Sequence, residues 1–214
     1  MDKVQVPLPE QPAASSILVW DLPVRLGHGL MAAGFVIAWL TAKGHGLKRV
    51  HIAAGAMVFA TVLFRLVWGR VGSRTARFGD FVRGPGAAFN YLKSLREGKA
   101  KPTLGHNPAG GLAIVTMFAL VLAAGTSGWL AFNKIGGHGL KSVHDFVVHA
   151  LLAVVLVHLL GVFVGSRVHG ESLVQAMVTG RKRGPPGLDI GSAHPGVALG
   201  LLGWIAFLIW WVAR

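Results

Sequence analysis

The sequence predicts an all-α integral membrane protein: a four-helix transmembrane bundle with an additional apolar helix at its carboxyl end. Three observations carry this expectation. The 214 residues are 53% apolar and only 14% charged, where a soluble domain carries about a quarter charged residues. The apolar residues are gathered in long blocks separated by polar stretches. Four histidines sit in or at the edges of those blocks, and ionisable groups at membrane depth are costly and usually functional.

Taken in order, residues 1–18 read as a polar amino-terminal tail, and the first sixteen hold no apolar core of a cleavable signal peptide. Five apolar segments follow, near Leu26–Ala42, Val50–Trp68, Gly110–Phe132, Val143–Gly165 and Gly196–Ala213. A span needs about 20 apolar residues, so the first and last are short. The fifth has no polar face across Trp204, Phe207, Trp210 and Trp211, which favours spanning over lying on the membrane surface. Residues 184–195, rich in Gly and Pro, read as a linker that makes 196–214 an appendage to a core of 19–183.

The connection 70–108 carries eight Lys/Arg against two acidic residues. Arg167, Arg181, Lys182 and Arg183 form a second basic cluster after the fourth span. By the positive-inside rule both lie in the cytoplasm, which puts the amino terminus there and the carboxyl terminus outside. The opposite loops, Lys43–Arg49 and Asn133–Ser142, are short but not free of positive charge. Within the long connection, Ala88, Phe89, Tyr91, Leu92 and Leu95 alternate with Lys93, Arg96 and Lys99, as in a short amphipathic helix on the inner surface. The net charge of +13 is therefore topological and implies no nucleic-acid partner. The chain has no cysteine, which excludes disulfides, iron–sulfur clusters and covalently attached haem.

Gly44-His45-Gly46-Leu47-Lys48 recurs as Gly137-His138-Gly139-Leu140-Lys141, an offset of 93 residues. The same offset carries His51 onto His144 and Arg65 onto His158. Spans one and two thus resemble spans three and four, as two hairpins related by an axis along the membrane normal. Bundles hold cofactors between such facing helices.

Depth sorts the histidines. His144 and His158 are fourteen residues apart, about 21 Å along one helix face. His28 and His158 fall near the inner surface, His51 and His144 near the outer. Two non-covalent haems, one clamped by each pair, account for the pattern; the alternative for any single histidine is a headgroup contact. Gly27 and Gly29 flank His28, Gly55 follows His51 by one turn and Gly161 follows His158. They suit either the close approach of a macrocycle or simple helix packing. Arg65 lies at the inner depth, where an anionic propionate or the inner headgroups would neutralise it. Arg25 and Arg167 are further candidates for the inner haem, and Lys48, Arg49 and Lys141 for the outer one. His149 points away from the ligand face and reads as a packing residue. His45 and His138 lie in the outer loops, solvated or against the outer haem edge, and His106, His169 and His194 are assigned no iron.

These residues carry a family resemblance. Val19-Trp20-Asp21 through Arg25 and His28, Arg65-Leu66-Val67-Trp68-Gly69, Ala76-Arg77-Phe78, Gly105-His106-Asn107-Pro108, His144-Asp145, and His158 with Gly161-Val162 stand in order along the chain. The tail from His169 and Glu171 through Ala176-Met177 to Thr179-Gly180-Arg181-Lys182-Arg183 completes the set. From about Val19 to Gly184 the chain resembles the prokaryotic cytochrome b-561 family, which includes the b-type cytochrome subunits of nickel–iron hydrogenases. The resemblance implies a four-helix core in the bacterial inner membrane and two b haems on His28, His51, His144 and His158. It also implies electron exchange between a quinone and a redox partner such as a cytochrome c or a hydrogenase-type subunit. The added helix departs from the four-helix pattern and offers a docking or oligomerisation surface.

Two other functions compete. A self-contained quinone oxidoreductase, for example one oxidising superoxide at the outer face, would use the basic outer loops to attract an anion. A metal or proton transporter would use the same histidines, but it needs carboxylates within the spans, and Asp145 is the single acid at the edge of any of them.

Overall fold

The computed structural model describes residues 15–44, 46–136 and 139–213; His45 and His138 lie outside them. Five helices are long and apolar enough to cross a membrane: α1 (Leu22–Thr41), α2 (Lys48–Val71), α5 (Pro108–Phe132), α6 (Gly139–His169) and α8 (Pro195–Ala213). The short helices α3 (Phe78–Phe81), α4 (Gly84–Arg96) and α7 (Leu173–Thr179) connect them, as does a 3₁₀ turn at Arg74–Ala76. Each transmembrane helix contains the apolar segment expected for it, apart from a residue at an end. The outward faces stay apolar and exposed, with Val36, Ile37 and Leu40 on α1 and Leu156, Val157, Leu159 and Leu160 on α6. Such faces suit lipid, and the helices satisfy their own backbone hydrogen bonds, as hydrocarbon requires. The chain is a multi-pass membrane protein.

Local signals start the helices. Asp21 caps α1 by accepting the Val24 amide at 2.8 Å, with Pro23 in the first turn. Asn107 caps α5 by accepting the Gly110 amide at 2.7 Å, followed by Pro108. Both place a side-chain acceptor on an orphan amide and a proline where no donor is lost. α7 starts at Ser172 and stops at Gly180, whose φ of +80° no branched side chain would favour.

The helices pair as the repeat predicts, α1 with α2 and α5 with α6, and the hairpins meet mainly along α2 and α5. Small residues permit the close crossings: Gly34 faces Met57 and Val58 across α1 and α2, and Gly125 faces Phe59 across α5 and α2. Between the hairpins lies one apolar cluster of Val58, Val62, Phe81, Ile114, Phe118, Val121 and Leu151.

α8 does not hang free of this core. It packs along α2 and α1 through Leu201 and Ile205, both buried with Ala60. The Trp204 indole N–H donates to the Ala60 carbonyl at 2.9 Å. Gly27 takes part in this packing, since a methyl there would meet Thr61 at 3.3 Å and Leu201 at 3.7 Å.

One end of the bundle is closed by a feature that the apolar pattern does not announce. β1 (Ser15–Leu18) pairs antiparallel with β2 (Arg181–Gly184), from Ser15 opposite Gly184 to Leu18 opposite Arg181. Residues 189–190 dock on the same ribbon: Asp189 accepts the Leu18 amide at 2.8 Å and the Ile190 amide reaches the Leu18 carbonyl at 3.0 Å. Lys182, almost fully buried, pairs with Glu171 at 3.1 Å and donates to the Thr103 carbonyl at 2.9 Å. α4 packs beside α5 with Ala88 buried, while Phe89 and Leu92 remain exposed. This is the ribbon end; the other is the loop end.

Candidate haem sites

His51 opens α2 and His144 opens α6, the second helix of each hairpin. Each hairpin uses its first helix to orient the ring. His51 Nδ1 lies 2.8 Å from the Ala38 carbonyl on α1, and His144 Nδ1 lies 2.9 Å from the Ala124 carbonyl on α5. A carbonyl can only accept, so Nδ1 carries a proton in both rings, which leaves Nε2 as the nitrogen that can ligate a metal. Gly128 makes room for His144, since a Cβ there would sit 2.9 Å from its Nδ1.

The two rings stand edge-to-face, with centroids 6.2 Å apart and planes at 81°. A histidine nitrogen binds a metal at about 2 Å. The ring centre then lies about 3 Å from the metal, so two imidazoles across one ion stand about 6 Å apart. Among the described residues no three His, Asp or Glu side chains converge on one point. Two imidazoles alone do not complete a metal's coordination, so the pair would suit a group that brings further ligands of its own, as a porphyrin does.

At the ribbon end the arrangement is looser. His28 on α1 and His158 on α6 both lie towards this end, and their rings make no contact or hydrogen bond with each other among the described residues. Arg65 on α2 is buried at this end. Its Nη2 donates to the Ala76 carbonyl at 3.4 Å, its guanidinium lies 5.9 Å from the Phe78 ring centre, and its Nη1 has no partner. Arg25 donates from Nη2 to the Val178 carbonyl, and its buried Nε is likewise unpartnered. Two orphaned cationic donors in a mostly apolar bundle leave places for carboxylates brought by a ligand. Haem propionates have that chemistry.

The glycines divide. Gly27 serves helix packing, whereas methyl groups at Gly29, Gly55 and Gly161 would meet nothing within 4 Å, leaving open space beside His28, His51 and His158. The remaining cations are peripheral: Arg167 lies over the Phe163 ring at 4.9 Å and Lys48 over the Phe132 ring at 4.7 Å. Arg49 and Lys141 are exposed at the loop end. His149 accepts packing from Trp39, with ring centroids 5.4 Å apart, and bonds the Asp145 carbonyl at 2.6 Å. His194 packs edge-on against Trp68, and His169 bonds the Tyr91 hydroxyl at 3.2 Å.

Sequence reasoning passed over Asp21 and His106. Asp21 is fully buried and, besides capping α1, accepts from the Trp68 indole at 2.9 Å and the Ser73 hydroxyl at 2.5 Å. It thereby ties the start of α1 to the end of α2. His106 is sandwiched by Trp20 and Phe81, with centroids at 4.5 Å and 4.8 Å. Burial first, then the nearby charge of Arg65, pushes its imidazole down to about 3, so it is neutral at physiological pH. The signal for both was present in Trp20-Asp21 and in Gly105-His106-Asn107-Pro108, polar residues embedded in the starts of apolar helices.

The family model for prokaryotic cytochrome b561 matches residues 19–180. No curated protein and no solved structure matches the chain.

Proposed function

The chain belongs to the prokaryotic cytochrome b561 family and is a membrane b-type cytochrome of electron transfer; we propose that it is a two-haem carrier passing electrons between a quinone and a partner redox protein. His51 and His144 would hold one haem, and His28 and His158 the other. The observation that carries the reading is the His51–His144 pair, 6.2 Å apart with both Nδ1 atoms tied to carbonyls. Bound there, haem would supply one-electron carriage, with His51 and His144 holding it.

The protein's own part is to orient and to exclude. The Ala38 and Ala124 carbonyls fix the ligating tautomer and the ring directions, the second-shell role that tunes such sites. Arg65 and Arg25 would neutralise the propionates of the ribbon-end haem, and Lys48, Arg49 and Lys141 those at the loop end; Arg167 stands further out at the ribbon end. Val58 and Leu151 fall seven residues from each site along α2 and α6 and belong to the apolar cluster between them, which keeps water and ions out of the path. The basic connections favour a cytoplasmic ribbon end.

The test is a reduced-minus-oxidised spectrum of the purified protein with haem quantified, repeated on His144→Ala and His158→Ala. Two b haems per chain, with about one lost in each variant, are expected. One haem in the wild type, or loss of both in His144→Ala with the fold intact, would refute the pairing.

A further inference from the structure

Two short helices are held at the ribbon end by the termini of spanning helices. α4 follows α3, whose Phe81 abuts the first turn of α5: a Cβ added at Gly111 would sit 2.7 Å from the Phe81 carbonyl. Further along α4, the Tyr91 hydroxyl lies 3.2 Å from Nε2 of His169, the last residue of α6. α7 follows the end of α6, and its Val178 carbonyl accepts from Arg25 in the first turn of α1. α6 has 31 residues, about 46 Å of helix against a hydrocarbon core of about 30 Å. Its ends therefore reach the lipid headgroups, and α4 and α7 are tied in at that level.

Each of the two carries an exposed apolar flank. Phe89 and Leu92 on α4, and Val174 and Val178 on α7, are all more than half exposed. On α4, Phe89, Leu92, Lys93 and Arg96 stand at i, i+3, i+4 and i+7, so apolar and cationic side chains share one side of the helix. Lys93 and Arg96 are exposed, as is Arg167 in the last turn of α6. The acids nearest them in sequence are already paired, Glu97 with Lys99 at 3.3 Å and Glu171 with Lys182 at 3.1 Å. Lys93, Arg96 and Arg167 are left without an ion-pair partner among the described residues.

We propose that α4, α7 and the last turn of α6 seat anionic phospholipid at the ribbon end, with Lys93, Arg96 and Arg167 on its headgroup phosphates and the apolar flanks of α4 and α7 in the acyl boundary. Apolar side chains exposed at headgroup level meet the first acyl carbons, and basic ones beside them select negative headgroups. Surface helices bind membranes by this combination. An acidic protein would answer the charge alone, and at this depth it would have to displace lipid from the apolar flanks. The lipid contact is independent of the redox role.

The chain has no cysteine, so Leu92→Cys provides a single labelling position for a bimane fluorophore. The labelled full-length protein is reconstituted into vesicles of phosphatidylglycerol and phosphatidylcholine in equal amounts, with the acyl chains of one or the other brominated near the glycerol. Stronger quenching by brominated phosphatidylglycerol is expected. Each basic side chain at an anionic surface is worth about a fivefold preference, so the bias should be severalfold and shrink as salt is raised. Adding Lys93→Gln, Arg96→Gln and Arg167→Gln together should bring the two lipids near parity, whereas Lys134→Gln at the loop end should change nothing. Lys93→Glu alone should reduce the bias, which keeps the test decisive if the triple variant fails to fold. Equal quenching by both lipids before any charge is removed would overturn the anionic preference. Quenching by neither would overturn the lipid contact and give the flank to water or to a protein. A bias that survives the triple variant would take the headgroup away from these three cations.

Discussion

Replacing Gly128 with alanine should cost the chain one haem, although alanine is the better helix former. The added Cβ would sit 2.9 Å from His144 Nδ1 and 3.0 Å from its Cε1, against an ordinary contact of about 3.4–4 Å between non-bonded atoms. The ring must retreat by about half an ångström, which stretches its 2.9 Å bond to the Ala124 carbonyl beyond hydrogen-bonding range. Losing that bond costs about 1 kcal/mol, and overpacking adds about 1–3 kcal/mol. If the whole of about 2–4 kcal/mol falls on haem affinity, binding at the loop-end site weakens roughly 30- to 700-fold. Helix propensity works the other way, since alanine favours α5 by about 1 kcal/mol, so a weakened site could not be blamed on a weakened helix. The assay is haem per chain after purification with limiting haem, compared with His144→Ala as the benchmark for a lost site. Gly203→Ala on α8, where a methyl meets nothing within 4 Å, is the control. Two haems with wild-type spectra and potentials in Gly128→Ala would refute the role given to His144.

Three further outcomes follow from the same geometry. Asp21→Ala removes the α1 cap and strands the Trp68 indole and Ser73 hydroxyl; it should destabilise the chain by about 3–5 kcal/mol, on the order of a 10 °C fall in Tm by thermal melting in detergent. Asp21→Asn, which keeps an acceptor, should lose less. His106 has a folded-state value far below its ordinary one, so the unfolded chain takes up the proton first and stability falls as pH drops below about 6.5. Between pH 7 and pH 5 the loss should reach at most about 2 kcal/mol, and melting of His106→Gln should show a smaller dependence over that interval. Arg65→Gln should lower the midpoint potential of the ribbon-end haem, because a buried cation favours the reduced state. A unit charge roughly 10 Å away at an effective dielectric of about 20 is worth ~1.7 kcal/mol, or about 70 mV for one electron. Arg65→Lys should move the potential little, and an unchanged potential in Arg65→Gln would place the guanidinium outside the haem's field.

The spans were legible because a membrane imposes one requirement on every residue of a segment, and blocks such as Val143–Gly165 meet it in plain view. The hairpin pairing was legible through the repeat, which put His51 and His144 at the same point of two related units. What escaped is made of groups that every residue possesses or that meet across long distances in the chain. Any residue has a carbonyl, so nothing distinguishes Ala38 or Ala124 as the acceptor that orients a histidine. The ribbon joins Ser15–Leu18 to Arg181–Gly184 through four residues on each side, too few for a period of two to stand out, and Arg181-Lys182-Arg183 reads first as topological charge. His106 looked like a loop histidine because its neighbours Trp20 and Phe81 come from other elements. α8 read as an appendage because apolarity signals lipid or a helix face equally; only the Trp204 bond to Ala60 and the buried Leu201 distinguish them.

The repeat is most informative where it fails. Its offset carries His51 onto His144, and each of those rings is bonded to a carbonyl of the preceding span, Ala38 and Ala124, which the offset itself does not relate. Fourteen residues on, the same offset carries Arg65 onto His158, so one hairpin offers a cation where the other offers a base. In the proposed pairing the ribbon end takes its second histidine from α1, as His28, beside a buried guanidinium with an unpartnered Nη1. The two proposed sites would then differ in electrostatics, the ribbon-end site with a fixed positive charge beside it and the loop-end site with cations only at its exposed rim. A buried cation is screened far less by salt than exposed lysines are. The potential difference between the two sites should therefore persist at high ionic strength, and electrons entering at the loop end would find the ribbon-end site the more favourable resting place.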